Sequence, residues 1–343
     1  MLSHSLAHRA AQVCVHRRYL WLFASILVLL LMLIASMVIG AKYIAPEIIW
    51  RALLGDQLGL SSTIVWDGRL PRTLNGVLIG MALGVAGALI QAVTRNPLAD
   101  PGILGVNVGA SLAMAIAVVF LGASTFPEFF IYAAIGALLT SVLVFVIGRS
   151  TAGRPDPLKL TLAGVAIGAV LGGLSTGLTL FNPSAFEVIR FWVVGTLDSR
   201  NLDVPLFIAP IILIGCTVAL ALTPSLNTLG LGEALSASLG ASLVKTQLIS
   251  LLVITLLCGA ATAAAGPIGF ISLMMPHIAR WMVGPDQRWI VPFCAVLTPS
   301  LLLFSDIIGR VIAPGELRVS VVTAFIGAPI LIYLVRQKRA SSL

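Results

Sequence analysis

The charged residues of this chain leave nine long stretches without charge, and each is near or above the length of a membrane-spanning helix. A spanning α-helix needs about 17–25 predominantly apolar residues. The side chains are 59% hydrophobic and only 10% charged, which is more apolar than a soluble domain of this size requires. We therefore predict an all-α polytopic membrane protein with a single transmembrane domain over residues 1–343. The uncharged stretches are 19–41, 73–94, 101–127, 129–148, 160–186, 204–232, 246–279, 289–305 and 319–335.

The stretch 246–279 is too long for one crossing, and Pro267 and Pro276 interrupt it. We interpret it as two crossings, the second short or broken, which gives about ten transmembrane helices. The first stretch is longer than the apolar part of a signal peptide, so we interpret it as the first membrane helix. Both termini are basic, and the positive-inside rule then predicts that both are cytoplasmic. An even number of crossings agrees with that placement.

Several residue patterns limit the classes of function. The four cysteines are scattered without a C-x-x-C pair, so neither a disulfide framework nor a metal site is indicated. No lysine directly follows a glycine, which excludes a P-loop, and no H-E-x-x-H motif occurs. A lone histidine such as His277, near a helix break, is far more often packed than catalytic. The basic residues flank the apolar stretches without forming a long basic tract, so we predict no catalytic residue, no metal and no nucleic-acid partner.

The positions of the charges also bear on how such a protein would be energised. Carriers driven by protons or sodium usually place an ionisable residue at membrane depth. Here the charges lie at the ends of the apolar stretches, with Asp306 and Arg310 near the end of the ninth helix. This disfavours an ion-coupled carrier, although coordination of sodium by backbone carbonyls stays open. The favoured alternative is a passive pathway that takes its energy from another subunit.

Such a subunit needs a docking surface, and the loop "TLGLGEALSASLGASLVK" at 228–245 offers one. Glu233 can begin a short helix with its charge near the positive end of the helix dipole. Leu235 and Leu239 lie on one face of that helix, and Gly240 can end it. The alternative is a plain surface helix that connects two membrane spans.

The second and seventh predicted helices share a pattern at an offset of 179 residues. Glycines seven positions apart are followed in both by a proline and a further glycine. Helices five crossings apart run in opposite directions, so the pattern predicts an inverted repeat of the kind found in transporters. Coincidence in a glycine- and alanine-rich chain is the alternative. The matching pairs are Gly80 and Gly259, Gly87 and Gly266, Pro97 and Pro276, and Gly105 and Gly284.

Seven stretches together resemble the FecCD family, the permease subunits of ATP-binding-cassette (ABC) importers for iron–siderophores and vitamin B12. They occur in order over nearly the whole chain with little need for gaps. Two further stretches, "RFWVVGTLDSRNL" and "RVIAPGELRVSVV", most resemble members that transport ferric enterobactin. The seven are "RLPRTLNGVLIG" (69–80), "RNPLADPGILGVNVGAS" (95–111), "LTLAGVAIGAV" (160–170), "LGLGEALSASLG" (229–240), "GPIGFISLMMPHIAR" (266–280), "LLLFSDIIGR" (301–310) and "TAFIGAPILIYLV" (323–335).

The resemblance implies the type II ABC importer permease fold in the bacterial inner membrane. It implies two permease subunits around a central pathway, here a heterodimer with a second, related permease. Two copies of a cytoplasmic ATPase subunit would bind the ATP and magnesium, so this chain itself needs no cofactor and is not an enzyme. A periplasmic binding protein would deliver a ferric siderophore, enterobactin or another catecholate. Vitamin B12, haem and hydroxamate siderophores are the alternative cargoes.

Three arginines at the predicted periplasmic ends of helices match positions that receive acidic residues of the binding protein in this family. Arg69 and Arg72 open the second helix, and Arg310 ends the ninth. Guanidinium groups suit this role because they bind carboxylates through two hydrogen bonds. The alternative is local pairing with Asp67 and Asp306, or anchoring of the helix ends.

The resemblance also implies a gate near the cytoplasm. In the vitamin B12 permeases, the Asn and Leu of an N-P-L motif close the path together with two residues that enter the fifth helix. The first pair matches Asn96 and Leu98, and the second falls on Pro157 and Leu158, where "RPDPLK" departs from those permeases. A leucine on a proline-stiffened backbone can seal a narrow opening by apolar contact. In the same family, the loop at 228–245 corresponds to the coupling helices, with Glu233, Leu239 and Gly240 as the contacts to the ATPase.

Overall fold

A computed structural model describes residues 2–40, 42–56, 59–148, 157–198, 202–231, 242–313 and 315–336, and these residues contain helices but no strand. Two segments are not regular α-helix: a π-helical turn at Val65–Arg69 and a 3-10 turn at Pro101–Leu104. The α-helices are α1 (Leu2–Val38), α2 (Pro46–Leu53), α3 (Leu60–Ile64), α4 (Leu70–Thr94), α5 (Val106–Leu121), α6 (Phe126–Ile147), α7 (Pro157–Phe181), α8 (Pro183–Val193), α9 (Asp203–Gly230), α10 (Leu243–Ala265), α11 (Ile271–Val283), α12 (Gln287–Ile312) and α13 (Val319–Arg336).

Each uncharged stretch of the sequence contains at least one helix of the bundle. Within the described ranges, seven segments have the length and hydropathy of membrane spans: parts of α1 and α7, the continuous segment Leu60–Thr94, and α6, α9, α10 and α12. The apolar helices α5 and α13 are shorter. The helix α11 lies where the short eighth crossing is predicted, and its 13 residues extend about 20 Å, less than the roughly 30 Å hydrocarbon core. The all-α polytopic architecture is therefore confirmed, and a crossing by α11 stays a prediction.

The break between α10 and α11 has a local cause. After Ala265 the backbone turns at Gly266, whose φ of 75° is accessible to glycine at little cost. Pro267 follows within the break, where a missing N–H costs no helical hydrogen bond. Pro276 instead lies inside α11.

The centre of the bundle is α4. In the most apolar 18-residue stretch of Leu60–Thr94, 83% of the residues are buried, whereas in that of α1 the share is 11%. Glycines along one face of α4 let α12 approach closely. A Cβ atom on Gly80 would lie 2.5 Å from Pro299 Cα, and one on Gly84 would lie 2.1 Å from Thr298 Oγ1.

The two ends of the bundle carry different side chains. We call the end where α1 finishes and α4 begins the arginine end, because Arg69, Arg72 and Arg310 lie there. The opposite end is the turn end, named for residues 95–105, which connect α4 to α5. The short helices α2 and α8 belong to the connections at the arginine end.

The predicted inverted repeat is reflected in helix direction. Ala265, the last residue of α10, accepts a hydrogen bond from Thr196 N at 2.8 Å. The neighbouring Leu197 carbonyl accepts one from Asn75, near the start of α4. Hence α10 ends where α4 begins, and the two helices run in opposite directions. Of the aligned pairs, Gly105 and Gly284 both adopt positive φ, at 72° and 84°.

Candidate functional site

At the arginine end, a buried carboxylate holds the side chain of Arg72. Arg72 Nε lies 3.1 Å from both carboxylate oxygens of Asp306, and its Nη2 lies 2.9 Å from Oδ1. The remaining Nη1 donates to Glu316 Oε2 at 2.7 Å. Planar guanidinium–carboxylate pairs of this kind are among the strongest hydrogen-bonded contacts in proteins. This one joins the start of α4 to the end of α12.

Asp306 also pairs with Arg310, one helical turn further along α12. Arg310 Nη2 lies 3.0 Å from Asp306 Oδ2 and donates to Ser36 Oγ at 2.9 Å, while Nη1 donates to the Ser36 carbonyl at 3.0 Å. The side chains of Asp306 and Arg310 are 1% and 3% exposed. Two guanidinium groups therefore share a single buried carboxylate.

The third arginine, Arg69, completes the end of α1. It is only 6% exposed and donates to the carbonyls of Met37, Val38 and Lys42. The last carbonyls of a helix have no partner within the helix. Arg69 supplies donors to these groups, so the arginine cluster fastens α1 to α4 and α12.

These contacts bear directly on the docking role predicted for the arginines. Arg72 and Arg310 both pair with Asp306, as the alternative hypothesis of local pairing predicts. The docking role stays a prediction. A cavity of about 460 Å³ opens beside the cluster and is lined by both signs of charge, including Lys42, Asp67 and Asp198.

At the turn end, Asn96 and Leu98 lie in a tight turn that follows α4. Leu98 N donates to Asn96 Oδ1 at 2.9 Å, a side-chain-to-backbone turn for which asparagine is well suited. The Leu98 side chain is 44% exposed. Arg95, immediately before this turn, has a left-handed φ of 50°. The apolar side chain is thus presented at the surface by a backbone with little freedom.

Polar contacts fix the rest of this turn against α11. Asp100 Oδ1 accepts from Gly102 N at 2.8 Å, and Asp100 Oδ2 accepts from Ser272 Oγ at 2.5 Å. His277 Nε2 lies 2.8 Å from the Pro97 carbonyl oxygen, consistent with an N–H donor at that position. Residues 97–102 therefore move with α11 unless these hydrogen bonds break.

Two further polar contacts surround the same region. Asn107 Oδ1 accepts from Thr262 Oγ1 at 2.9 Å, linking α5 to α10. Gln91 on α4 is fully buried and donates to the Leu273 carbonyl at 3.0 Å, while its Oε1 accepts from Arg280. The sequence reasoning missed these residues. The sequence feature that could have identified them is a polar side chain within or beside a long apolar stretch.

The second predicted gate pair also lies at the turn end. Pro157 is the first residue of α7, and Leu158 is 68% exposed. A Cβ atom on Gly164 would lie 1.8 Å from the carbonyl oxygen of Ile103, so α7 packs directly on the 3-10 turn. Closure of a path by these residues stays a prediction. The predicted ATPase contacts Glu233, Leu239 and Gly240 lie outside the described residues.

We expect Ser272→Ala to destabilise the protein by about 1.5–3 kcal/mol, because it removes a hydrogen bond to a charged carboxylate. The measurement is the thermal unfolding midpoint of the purified chain in detergent. Ser184→Ala is the matched control, since Ser184 is exposed near the start of α8. Equal midpoints for the two variants would show that the Asp100–Ser272 contact contributes little.

With this geometry in place, the family can be assigned. A model of the FecCD transport family matches residues 27–337. The chain belongs to the FecCD transport family. Two relatives illustrate its similarity to FecCD proteins of iron import. The chain is 53% identical over 314 residues to the ferric enterobactin transport system permease protein FepD of Escherichia coli (strain K12), covering 90% of this chain and 94% of the relative. It is 40% identical over 291 residues to the Fe(3+)-citrate import system permease protein YfmD of Bacillus subtilis (strain 168), covering 82% of this chain and 86% of the relative.

A solved structure supports the same assignment for the fold. The chain resembles a metal-chelate type ABC transporter in an inward-facing conformation, with a TM-score of 0.79 and 26% sequence identity. The match covers 92% of this chain and 98% of that chain. The FecCD-family bundle is therefore an ABC-transporter permease fold.

Proposed function

We propose that this chain is the permease subunit of an ABC importer that carries ferric enterobactin, or another ferric catecholate siderophore, across the bacterial inner membrane into the cytoplasm. The observation that carries the proposal is 53% identity to a ferric enterobactin permease over 94% of that relative's length. The absence of a P-loop from the sequence agrees with a separate ATPase subunit as the source of energy.

A second permease subunit is part of the proposal, and α7 supports it. Only 22% of the residues in the most apolar 18-residue stretch of α7 are buried. Its exposed positions include the small residues Ala166, Ala169 and Gly173 together with the larger Val165 and Val170. Small residues allow helices to approach closely within a membrane. We propose that this face of α7 contacts a second, related permease and lines the path between the two subunits.

The remaining partners follow from the proposed orientation, with both termini in the cytoplasm. Two ATPase subunits would dock at the turn end, on the loop at 228–245. A periplasmic binding protein would dock at the arginine end. Glu316 is the most exposed partner of Arg72, with 40% of its side chain accessible, so a carboxylate of the binding protein would most easily take its place.

The test is uptake of radiolabelled ferric enterobactin into proteoliposomes. We expect uptake only when the chain is assembled with its second permease, the ATPase and the binding protein, with ATP inside the vesicle. Uptake by this chain alone, driven by an ion gradient, would favour the ion-coupled carrier. Competition with ferric hydroxamate, haem and vitamin B12 distinguishes the cargoes: a catecholate importer should be inhibited by ferric catecholates only.

A further inference from the structure

The turn end carries a group of unpaired basic side chains beside two aromatic rings in contact. We call Arg17, Arg18 and Arg288, with Tyr19 and Trp289, the basic corner. The rings of Tyr19 and Trp289 meet edge to face with centroids 5.0 Å apart. Arg18 Cζ lies 5.8 Å from the centroid of the Trp289 ring. The corner therefore joins the start of the spanning part of α1 to the first turn of α12.

The charges of this corner are not neutralised within the described parts of the chain. None of the ion pairs found there includes Arg17, Arg18 or Arg288. The nearest acid in sequence is Asp286, whose Oδ1 already accepts from Asn227 at 2.6 Å and from Arg288 N at 2.9 Å. Asp286 thus caps α12 and leaves the guanidinium groups free.

One donor in the corner is both buried and unsatisfied. Arg18 Nε is inaccessible and has no hydrogen-bond partner among the described residues. The other side of this side chain packs on the end of α11, where a Cβ on Gly284 would lie 3.5 Å from Arg18 Nη2. A buried N–H without an acceptor is costly. The two terminal nitrogens of the same guanidinium group are not buried in this way, so an anionic oxygen at the surface between α1 and α12 could reach them.

The surface next to the corner is apolar and faces away from the protein. Phe23, Ile26 and Leu30 on α1 are 69%, 41% and 50% exposed. They follow Tyr19 at four, seven and eleven residues, so they continue from the Tyr19 side of the basic corner along one exposed face of α1. A free phosphate ion would make no favourable contact with such an apolar surface. A phospholipid would, because its acyl chains lie directly beneath its headgroup.

We propose that the basic corner binds the phosphodiester headgroup of an anionic phospholipid, with an acyl chain lying along α1. Arginine forks bind phosphate oxygens through paired hydrogen bonds. Basic pockets between helix ends, with aromatic residues at headgroup level, suit this ligand. The Trp289 ring orients Arg18 and limits the freedom that the side chain would lose on binding. This inference does not depend on the cargo or the energy source of the importer.

The experiment titrates phosphatidylglycerol or phosphatidylcholine into the purified full-length chain in detergent and follows the thermal unfolding midpoint. We expect phosphatidylglycerol to raise the wild-type midpoint at lower concentration than phosphatidylcholine. In Arg18→Gln and Arg288→Gln, we expect the apparent affinity for phosphatidylglycerol to fall about tenfold, as expected for loss of a hydrogen bond to a charged group. The affinity of Arg18→Lys should lie between those of the wild type and Arg18→Gln, because lysine keeps the charge but lacks the planar guanidinium group.

Arg51→Gln is the matched control, since it removes an exposed positive charge from α2 at the arginine end. Its lipid preference should equal that of the wild type. The proposal is overturned if Arg51→Gln loses the preference equally, if Arg18→Gln and Arg288→Gln keep it, or if both lipids act alike on the wild type. It is also overturned if inorganic phosphate alone gives the full effect, which would identify a free-anion site.

Discussion

Replacing Asp306 with alanine is expected to destabilise the protein by about 3–5 kcal/mol, the cost of leaving buried charges without their partner. The carboxylate is 1% exposed and is bonded to both Arg72 and Arg310. Its removal leaves two largely buried guanidinium groups with no opposite charge between them. The measurement is the thermal unfolding midpoint in detergent, together with the yield of membrane-inserted protein.

Glu316→Ala provides the comparison, because it removes the other carboxylate that contacts Arg72. The Glu316 side chain is 40% exposed, and exposed ion pairs contribute only about 0–1 kcal/mol. We expect a small change in its midpoint. Similar midpoints for the two variants would contradict the central position of Asp306 in the arginine cluster.

Replacing Gly87 with valine is expected to cost about 1–3 kcal/mol in stability and to abolish transport. A Cβ atom at this position would lie 2.0 Å from the carbonyl oxygen of Ser272 and 2.7 Å from its carbonyl carbon. Both are backbone atoms, so no side chain can rotate away to make room. The start of α11 would be pushed off α4, and Ser272 would lose its contact with Asp100. Uptake by the assembled importer and the unfolding midpoint are the two measurements.

The same change on α7 is the control. A Cβ atom on Gly168 would meet no other atom within 4 Å, so Gly168→Val adds volume in open space. We expect this variant to fold normally. Because Gly168 lies on α7, which is proposed to contact a second permease, this comparison uses the unfolding midpoint of the purified chain alone. Equal midpoints for Gly87→Val and Gly168→Val would show that the close approach of α4 and α11 contributes little to stability.

The helical architecture could be predicted because charge is expensive inside a bilayer. Charged residues therefore mark the ends of the apolar stretches, and Pro267 marks the break in the longest one, whereas Pro276 lies inside α11. The length of α11 was less predictable. Its first residue is set by the turn at Gly266, which depends on packing against Trp192 and Gly195.

The environment of the arginines could not be read from the sequence in the same way. Arg72 and Asp306 are separated by 234 positions, and only the packing of α4 on α12 brings them together. A charge at the end of an apolar stretch looks the same whether it faces water or a buried carboxylate. The contact between Asp100 and Ser272 was equally hard to predict from the sequence, since the two residues are 172 positions apart.

The residues from Leu60 to Thr94 form one continuous helical rod of 35 residues, about 52 Å long. This is roughly 20 Å more than the hydrocarbon core it crosses. A rod of that length acts as a lever: a tilt of about 5° around its midpoint displaces each end by about 2 Å, in opposite directions. A push on the protruding tip at Leu60 would therefore move the turn that carries Leu98 by about 2 Å at the other end of the bundle.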